Sequence, residues 1–246
     1  MSSVVTRPPT SREREDYERE GWLCVRGLVD AKTLAALQAA SGALEQTAAG
    51  FERDTNVRGV FFEMQSASGR KREPAIAPGV LRKITGPSKG QPAFARLRRD
   101  PRVLEAIGVV GLARPRCVVD QINFKHPRIG TGFPYHQDAN FLFGDALKEL
   151  QAFGGVHVVV ALDASDDENG GFQVLGRTHT RGLTDLQKRY DTSTMNDGLF
   201  DETHRALVPL DPGDAILFHP MLAHGSGPNR SERRRRLATL WFVGGA

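Results

Sequence analysis

The chain has 246 residues, of which 39% are hydrophobic and 25% charged, and its formal net charge is +4. These values are ordinary for a globular protein and argue against a disordered chain. No apolar run approaches the roughly 20 residues that cross a bilayer. The N-terminal residues also lack the apolar segment of a secretory signal, so we expect neither membrane contact nor export. Two distant cysteines, Cys24 and Cys117, form no metal or redox spacing, which fits a cytoplasmic location.

The excess positive charge is concentrated in one place. Arg233 to Arg236 carry as many positive charges as the net charge of the whole chain, and elsewhere acids and bases nearly balance. A basic run of this kind can mark a nucleic-acid-binding surface. Because the excess is local, we expect no nucleic-acid partner and interpret it as a solvated surface that would favour a small anionic substrate. The sequence does not indicate an oligomeric state.

The first 110 residues predict helices and loops. Residues 1–9 contain two adjacent prolines and are expected to form a disordered lead, followed by a mainly helical flank over residues 10–110. Asp30 is a good N-cap residue, and leucines at helical spacing follow it. The predicted elements are a charged helix capped by Thr10 or Ser11 and ending near Glu20, a strand over residues 22–25, the helix after Asp30, and a helix that begins at Pro101.

Two segments lack a periodic pattern. From Phe51 to Pro92 the sequence mixes Gly, Pro, Ser and charged residues, which predicts a long irregular loop. Residues 183–204 interrupt the second half, and we expect a helical or mobile insertion over the mouth of the core. Long loops in compact domains are often functional, so these two segments are expected to decide which substrate is accepted.

The second half of the chain predicts strands. Alternation over residues 117–125 is typical of a half-buried strand, and the continuous apolar run over residues 156–162 of a fully buried one. Turns rich in Gly and Asp separate the further strand candidates, which are residues 172–175, 206–210, 215–218 and 237–243. Helices first and many strands later predict one α+β domain over residues 1–246, with a β-sandwich or barrel core at 115–243.

Three residues have the chemistry of a metal site. His136 and Asp138 are one residue apart, and on a strand such residues point to the same face. His224 follows the strand predicted at 215–218 and can supply a third ligand. Two histidines and one carboxylate leave the other metal positions open, as in the facial triad of non-haem iron oxygenases. The H-x-D spacing alone is weak, and the other histidines, among them His157, are expected to be surface or hydrogen-bonded residues.

An arginine at a fixed distance from the last histidine strengthens this interpretation. Arg235 lies eleven residues after His224 and begins the last predicted strand. It alternates in phase with Leu237, Thr239 and Trp241, so these four side chains should share one face. A guanidinium there can form two parallel hydrogen bonds with the distal carboxylate of 2-oxoglutarate.

Several motifs follow one another in a fixed order around these residues. They are Phe133-Pro134-Tyr135-His136-Gln137-Asp138, Ala161-Leu162-Asp163-Ala164, Glu168-Asn169-Gly170-Gly171, Gly176-Arg177-Thr178-His179, Pro212-Gly213-Asp214, and His224-Gly225-Ser226-Gly227-Pro228-Asn229 through Arg235. In these motifs the chain resembles the phytanoyl-CoA dioxygenase family, over about residues 115–243. The resemblance implies a double-stranded β-helix (jelly-roll) fold with the N-terminal helices packed outside. It also implies iron(II) as the metal, with 2-oxoglutarate and dioxygen as cosubstrates.

The resemblance implies roles for single residues. His136, Asp138 and His224 would be the iron ligands. Arg235 would bind the distal carboxylate of 2-oxoglutarate, and Arg233, which shares its alternation phase, is the competing candidate.

Further residues are assigned to the cosubstrate and the substrate. Ser226 resembles the family serine near the distal carboxylate of 2-oxoglutarate. Lys125 shares one face of the first core strand with Gln121 and Asn123, and it would reach 2-oxoglutarate if that face lines the barrel. The residues assigned to the substrate are Gln121, Asn123, Phe141 and Gln173.

Two departures from the family pattern bear on the chemistry. The family often has a tryptophan before the Ala-Leu-Asp motif, whereas this chain has valines at that place, with His157 among them. Halogenases that resemble the family replace the carboxylate ligand with a small residue, so that chloride can bind the iron. Because Asp138 is present, we expect hydroxylation or a related oxidation of a small metabolite, with release of succinate and carbon dioxide.

Two alternatives remain open from the sequence. A jelly-roll metal enzyme of another class, such as a cupin-like isomerase or hydrolase with zinc or manganese, could use the same three ligands. A non-catalytic jelly-roll binding module, with the arginine run facing nucleic acid, would show salt-dependent binding to DNA or RNA.

Overall fold

Two sheets face each other in the computed structural model, which describes residues 4–5, 11–67, 73–184, 198 and 200–246. The strands are β1 (Val4–Val5), β2 (Trp22–Val25), β3 (Thr55–Val57), β4 (Val60–Met64), β5 (Leu81–Thr85), β6 (Arg116–Lys125), β7 (Phe133–His136), β8 (Gly155–Ala161), β9 (Phe172–Leu175), β10 (Arg205–Val208), β11 (Ala215–Phe218), β12 (Ala223–Ser226) and β13 (Arg235–Val243). The large sheet has the order β1-β2-β11-β8-β13-β6-β5-β4-β3, and the small sheet has the order β10-β9-β12-β7.

Helices cover the outer face of the large sheet. They are α1 (Ser11–Glu20), α2 (Ala31–Ala48), α3 (Pro92–Leu97), α4 (Pro101–Val109) and α5 (Gly144–Phe153). The predicted cap of α2 is present, because the Asp30 carboxylate accepts a hydrogen bond from the Thr33 backbone N–H at 2.8 Å. Leu37 and Leu44 of this helix are buried in the main core, which lies between the helices and the large sheet.

A second, smaller core fills part of the space between the two sheets. Val159 and Ile216 of the large sheet are buried there with Phe172 and Val174 of the small sheet. The strands β8, β11 and β13 are buried along their whole length, as the continuous apolar run over β8 predicts. In β13 the predicted alternation holds, because Ala238, Leu240 and Phe242 lie in the main core on the opposite side.

The predicted α+β jelly-roll class is confirmed, but parts of the N-terminal half were predicted wrongly. Val4–Val5 do not belong to a disordered lead, because they pair with β2 as a short parallel strand. The mainly helical flank and the irregular segment 51–92 contain β3, β4 and β5, which extend the large sheet beyond β6. These strands are only three to five residues long, too short for a clear alternation.

Two further differences lie in the second half. The sequence did not predict α5, and most of the insertion predicted at 183–204 lies outside the described residues. Asp138 does not share a strand with His136, since β7 ends at His136 and Asp138 begins a short 3-10 helix. Within the described residues, no helix combines the length and apolar character that crossing a membrane requires.

A buried ion pair connects the jelly roll to its helical flank. The Arg236 guanidinium donates two hydrogen bonds to the Asp163 carboxylate, at 2.8 and 2.9 Å, and a third to Glu45 of α2 at 3.1 Å. The Arg236 side chain is only 3% exposed. Breaking a buried pair leaves a charge without compensation, which costs far more than losing a pair at the surface.

We therefore expect Asp163→Ala to lower the free energy of unfolding by roughly 3 kcal/mol. The matched control is Asp167→Ala, which removes an exposed carboxylate paired with Arg230 and should change stability by less than about 0.5 kcal/mol. Urea denaturation followed by circular dichroism measures both. Equal effects of the two substitutions would contradict the structural role given to Asp163.

Candidate metal centre and cavity

The three predicted metal ligands meet between the sheets. His224 in β12 lies directly opposite His136 at the end of β7, and Asp138 follows in the 3-10 helix. One ligand atom from each residue can be chosen so that all three lie within 4.8 Å of one another. The spacing predicted this meeting, although a turn after β7, and not a continuous strand, brings Asp138 to the histidines.

Backbone carbonyls orient both imidazoles. The Nδ1 atom of His136 lies 2.7 Å from the Pro134 carbonyl oxygen, and that of His224 lies 3.0 Å from the Leu222 carbonyl oxygen. A carbonyl oxygen only accepts hydrogen bonds, so each Nδ1 carries the proton and each Nε2 keeps a free lone pair. Both Nε2 atoms face the Asp138 carboxylate, at 3.4 Å from His136 and 3.5 Å from His224.

The protonation states suit a divalent cation. Burial lowers the pKa of His224 to about 4, so its imidazole is neutral near pH 7. Burial alone would raise the pKa of Asp138, but the imidazoles of His224, His136 and His157 outweigh it and hold that pKa well below its ordinary value. Two imidazoles and one carboxylate form the donor set of the facial triad, which fits iron(II) and leaves coordination positions open.

His157 contacts the predicted carboxylate ligand, Asp138, and the sequence did not predict this contact. Its Nδ1 atom lies 2.9 Å from Asp138 Oδ2, and because a carboxylate only accepts, His157 is the donor. The ring is fully buried and stacks on Trp241 at 4.7 Å between centroids. The only signal in the sequence was a polar residue within the apolar run of β8. Such partners of metal ligands fix ligand orientation.

The three ligands open onto a cavity of about 880 Å³ between the sheets. The side chains of β13 that face it are the ones predicted to share a face, namely Arg235, Leu237, Thr239 and Trp241. Aromatic residues from both sheets and from the loop after β7 form much of the wall; these are Phe61, Phe133, Phe141, Phe143, Phe172 and Phe218. A concave, largely apolar space with a few polar groups is typical of a small-molecule site.

Arg235 is a buried cation at this cavity. Its residue is 1% exposed, and its guanidinium donates one hydrogen bond to the Gly170 carbonyl at 2.9 Å. The buried Nε atom has no hydrogen-bond partner among the described residues. Burial lowers the pKa of Arg235 to about 9, which still leaves it charged near pH 7. A buried charge needs compensation, so this site fits the carboxylate of a bound ligand.

Most of the other predicted site residues lie at or beside the cavity. Gln121, Asn123, Phe141 and Ser226 line it. Lys125 is not among the lining residues: its ammonium group donates to the backbone carbonyls of Thr131, Ser226 and Gly227. Burial, with the nearby charges of Arg235 and Arg82, lowers the pKa of Lys125 well below its ordinary value.

Two predicted site residues lie away from the cavity. Arg233 is exposed and pairs with Asp166 at 2.8 Å, because the chain reaches the sheet only at Arg235. Gln173 alternates with Phe172 in β9, so it points away from the metal ligands and accepts a hydrogen bond from the Tyr135 hydroxyl at 2.7 Å. Neither residue contributes to the lining of the cavity.

We expect His157→Phe to weaken binding of a divalent metal by roughly tenfold or more, because it removes the hydrogen bond to Asp138 while keeping a ring beside Trp241. Anaerobic titration with iron(II) measures the affinity. His126→Phe is the matched control, since His126 stacks on Phe124 outside the metal centre. If both variants bound iron(II) like the wild type, His157 would have no positioning role.

Three known proteins have sequences similar to this chain. "Phytanoyl-CoA dioxygenase domain-containing protein 1" of Danio rerio is 28% identical over 160 residues, which are 62% of this chain and 53% of the relative. "Methylphosphonate hydroxylase" of Gimesia maris is 31% identical over 125 residues, 50% of this chain and 43% of the relative. "L-proline trans-4-hydroxylase" of Streptomyces griseoviridis is 25% identical over 217 residues, 77% of this chain and 78% of the relative. The chain thus spans about half the length of the first of these relatives.

Solved structures share the fold. EctD from S. alaskensis, solved with 2-oxoglutarate and 5-hydroxyectoine, has a TM-score of 0.71 and 21% identity, and the match covers 97% of this chain and 77% of EctD. EvdO2 from Micromonospora carbonacea var. aurantiaca, complexed with 2-oxoglutarate, has a TM-score of 0.67 and 21% identity, with 100% and 94% covered. The model of the family described as "Phytanoyl-CoA dioxygenase (PhyH)" matches residues 17–237. The chain belongs to the phytanoyl-CoA dioxygenase family.

Proposed function

We propose that this protein is an iron(II)- and 2-oxoglutarate-dependent dioxygenase that hydroxylates an unactivated C–H bond of a small-molecule metabolite. The observation that carries the proposal is that a set of metal ligands and a buried cationic side chain line the same cavity. His136, Asp138 and His224 offer an open facial set of metal ligands, and the buried Arg235, whose Nε atom has no hydrogen-bond partner among the described residues, offers a cation for a carboxylate. A cluster of polar residues that served only to stabilise the fold would need neither open metal positions nor a buried arginine.

The relatives support the same class of reaction. Two of them are named for the hydroxylation of small molecules, methylphosphonate and L-proline. Two structures of the same fold were solved with 2-oxoglutarate. The volume of about 880 Å³ lies within the range for small-molecule sites and is large enough for a cosubstrate beside a small metabolite.

Each group of residues has a defined part in the reaction. Bound iron(II), with 2-oxoglutarate and dioxygen, supplies the oxidising power that converts a C–H bond to C–OH, with succinate and carbon dioxide as the other products. His136, Asp138 and His224 would hold the iron(II), and the cavity that these three residues line would receive the cosubstrate and the substrate. Arg235 binds and orients the distal carboxylate of the cosubstrate.

The remaining wall of the cavity would orient the substrate. The amides of Gln121 and Asn123 face the cavity and can bind polar groups, and the Asn123 amide is itself held by Thr239 at 3.0 Å. Phe141 packs edge-on against His136, with 5.8 Å between ring centroids, and adds an apolar surface beside this ligand. Since Asp138 occupies the position of the carboxylate ligand, hydroxylation is favoured over halogenation.

Arg235→Gln should raise the KM for 2-oxoglutarate by roughly 10- to 100-fold, because it removes a charge-assisted contact with the distal carboxylate. Succinate release measures the effect. The matched control is Arg233→Gln, two residues away on the protein surface, which should leave this KM unchanged. A larger effect of Arg233→Gln than of Arg235→Gln would assign the anchor to the other arginine.

His136→Ala should abolish both stoichiometric iron(II) binding and succinate release, since two of the three ligands cannot fix the open geometry. Anaerobic addition of 2-oxoglutarate to the wild-type iron(II) protein should produce a visible charge-transfer band, which requires chelation of the metal by the oxo acid. A zinc or manganese enzyme of another class would give no such band. Absence of the band, together with unchanged metal binding by His136→Ala, would falsify the proposed function.

A further inference from the structure

Gln137 lies between two of the predicted metal ligands, and its side chain points away from them. Its backbone is extended, so the side chains of His136 and Asp138 lie on one side of the chain and that of Gln137 on the other. Gln137 is only 1% exposed and is not among the residues that line the cavity. A side-chain amide that is buried in this way needs hydrogen-bond partners.

The Gln137 amide binds three backbone groups. Its Nε2 atom donates to the carbonyl oxygens of Met221 at 2.7 Å and Gly182 at 2.8 Å, and its Oε1 atom accepts from the Thr184 backbone N–H at 2.7 Å. A carbonyl oxygen only accepts and a backbone N–H only donates, so one orientation of the amide satisfies all three groups. We name residues 136–141 the ligand turn; Gln137 joins this turn to two other segments of the chain.

One of these segments is the connection between β11 and β12, which leads to His224. Three consecutive carbonyls of this connection accept hydrogen bonds, namely that of Pro220 from the Ala139 N–H at 3.0 Å, that of Met221 from Gln137, and that of Leu222 from the His224 imidazole at 3.0 Å. The first two bonds hold the ligand turn, which carries Asp138, and the third orients His224. The connection therefore fixes Asp138 relative to His224, and Gln137 supplies the side-chain part of this contact.

The other segment is residues 182–184. Both backbone polar groups of Thr184 bind side chains of the ligand turn, since its N–H donates to Gln137 and its carbonyl oxygen accepts from Asn140 Nδ2 at 3.2 Å. The Leu183 side chain is 49% exposed, so these hydrogen bonds, and not burial of an apolar side chain, hold the segment. It includes the start of the insertion that the sequence predicts to influence substrate choice.

We propose that Gln137 is a positioning residue, whose amide sets the spacing of Asp138 and His224 for the metal and couples the metal centre to residues 182–184. The inference rests on the metal ligands of the proposed function and adds a residue that acts through them. Metal binding and the hydrogen bond from Thr184 should each strengthen the other, because coupling between two sites is reciprocal.

Gln137→Met tests the positioning role, because methionine has a similar length but no amide. The affinity for iron(II), from anaerobic titration, should fall by roughly tenfold or more. The d–d absorption bands of the cobalt(II) protein report coordination geometry, and they should shift in this variant. The matched control is Gln38→Met, which removes a hydrogen bond from a side-chain amide to the Leu162 carbonyl at 2.7 Å in the helical flank and should change neither measurement.

Hydrogen exchange at the Thr184 amide tests the coupling. In the wild type this exchange should slow when iron(II) binds, whereas in Gln137→Met it should be faster and independent of the metal. Gln137→Glu separates the two roles and serves if Gln137→Met does not fold, as checked by circular dichroism. Its carboxylate still accepts from Thr184 but cannot donate to Met221 or Gly182, so the iron(II) affinity should fall while the metal still slows exchange.

Two results would overturn the inference. One is an iron(II) affinity and a cobalt(II) spectrum of Gln137→Met that equal those of the wild type. The other is exchange at Thr184 that iron(II) does not change in the wild type. A wild-type protein that binds no iron(II) would remove the proposed function together with the inference. A missing charge-transfer band in the wild type, with metal binding still weakened in Gln137→Met, would remove the proposed function and leave Gln137 as a positioning residue of another metal centre.

Discussion

The antiparallel pairing of β7 with β12 is the contact on which the site depends. It sets His136 opposite His224, and carbonyls of the adjoining chain, at Pro134 and Leu222, then turn both rings so that their free nitrogen atoms face one point. Immediately after β7 the chain turns into a 3-10 helix, and this turn places the Asp138 carboxylate beside the two imidazoles. A slip of one residue in this pairing would send one imidazole to the opposite face of the small sheet.

The large sheet supplies the groups that support this centre. β8 contributes His157, which holds the carboxylate ligand, and β13 contributes Trp241, on which His157 stacks. β13 also places Arg235 at the cavity, with its guanidinium fixed by the Gly170 carbonyl. The proposed ligands and the proposed cosubstrate anchor therefore lie on different sides of the cavity, and their spacing depends on how the two sheets pack.

The sequence predicted what depends on local pattern. The meeting of His136, Asp138 and His224, the phase of β13 and the Asp30 cap of α2 could be predicted from spacing and residue type, and the family motifs implied the fold. The β-strands between Phe51 and Pro92 were missed because three to five residues give no periodic signal, and because their pairing partner β6 is distant in sequence. Consequently the sequence did not show that Glu63 and Arg82 face the cavity.

Residues whose roles depend on tertiary contacts were equally hidden. His157 was expected to be an ordinary surface or hydrogen-bonded histidine, since its partner Asp138 comes from a 3-10 helix after another strand. Gln173 was assigned to the substrate, whereas the observed face of β9 turns it towards Tyr135. Arg233 and Arg235 share a phase only if the strand begins before Arg233, and it begins at Arg235.

The four consecutive arginines before and within β13 occupy four different environments. Arg233 pairs with Asp166 at the surface, Arg234 with Glu45, Arg235 faces the cavity, and Arg236 is buried against Asp163. If β13 slipped by one residue against its neighbouring strands, Arg234 or Arg236 would face the cavity in place of Arg235. The four identical side chains therefore cannot by themselves define the register of β13. The residues that follow the arginines in β13 do differ: Trp241 lines the cavity, whereas Phe242 is buried in the main core. A slip would exchange these two environments, so the far end of β13 helps to set which guanidinium faces the cavity.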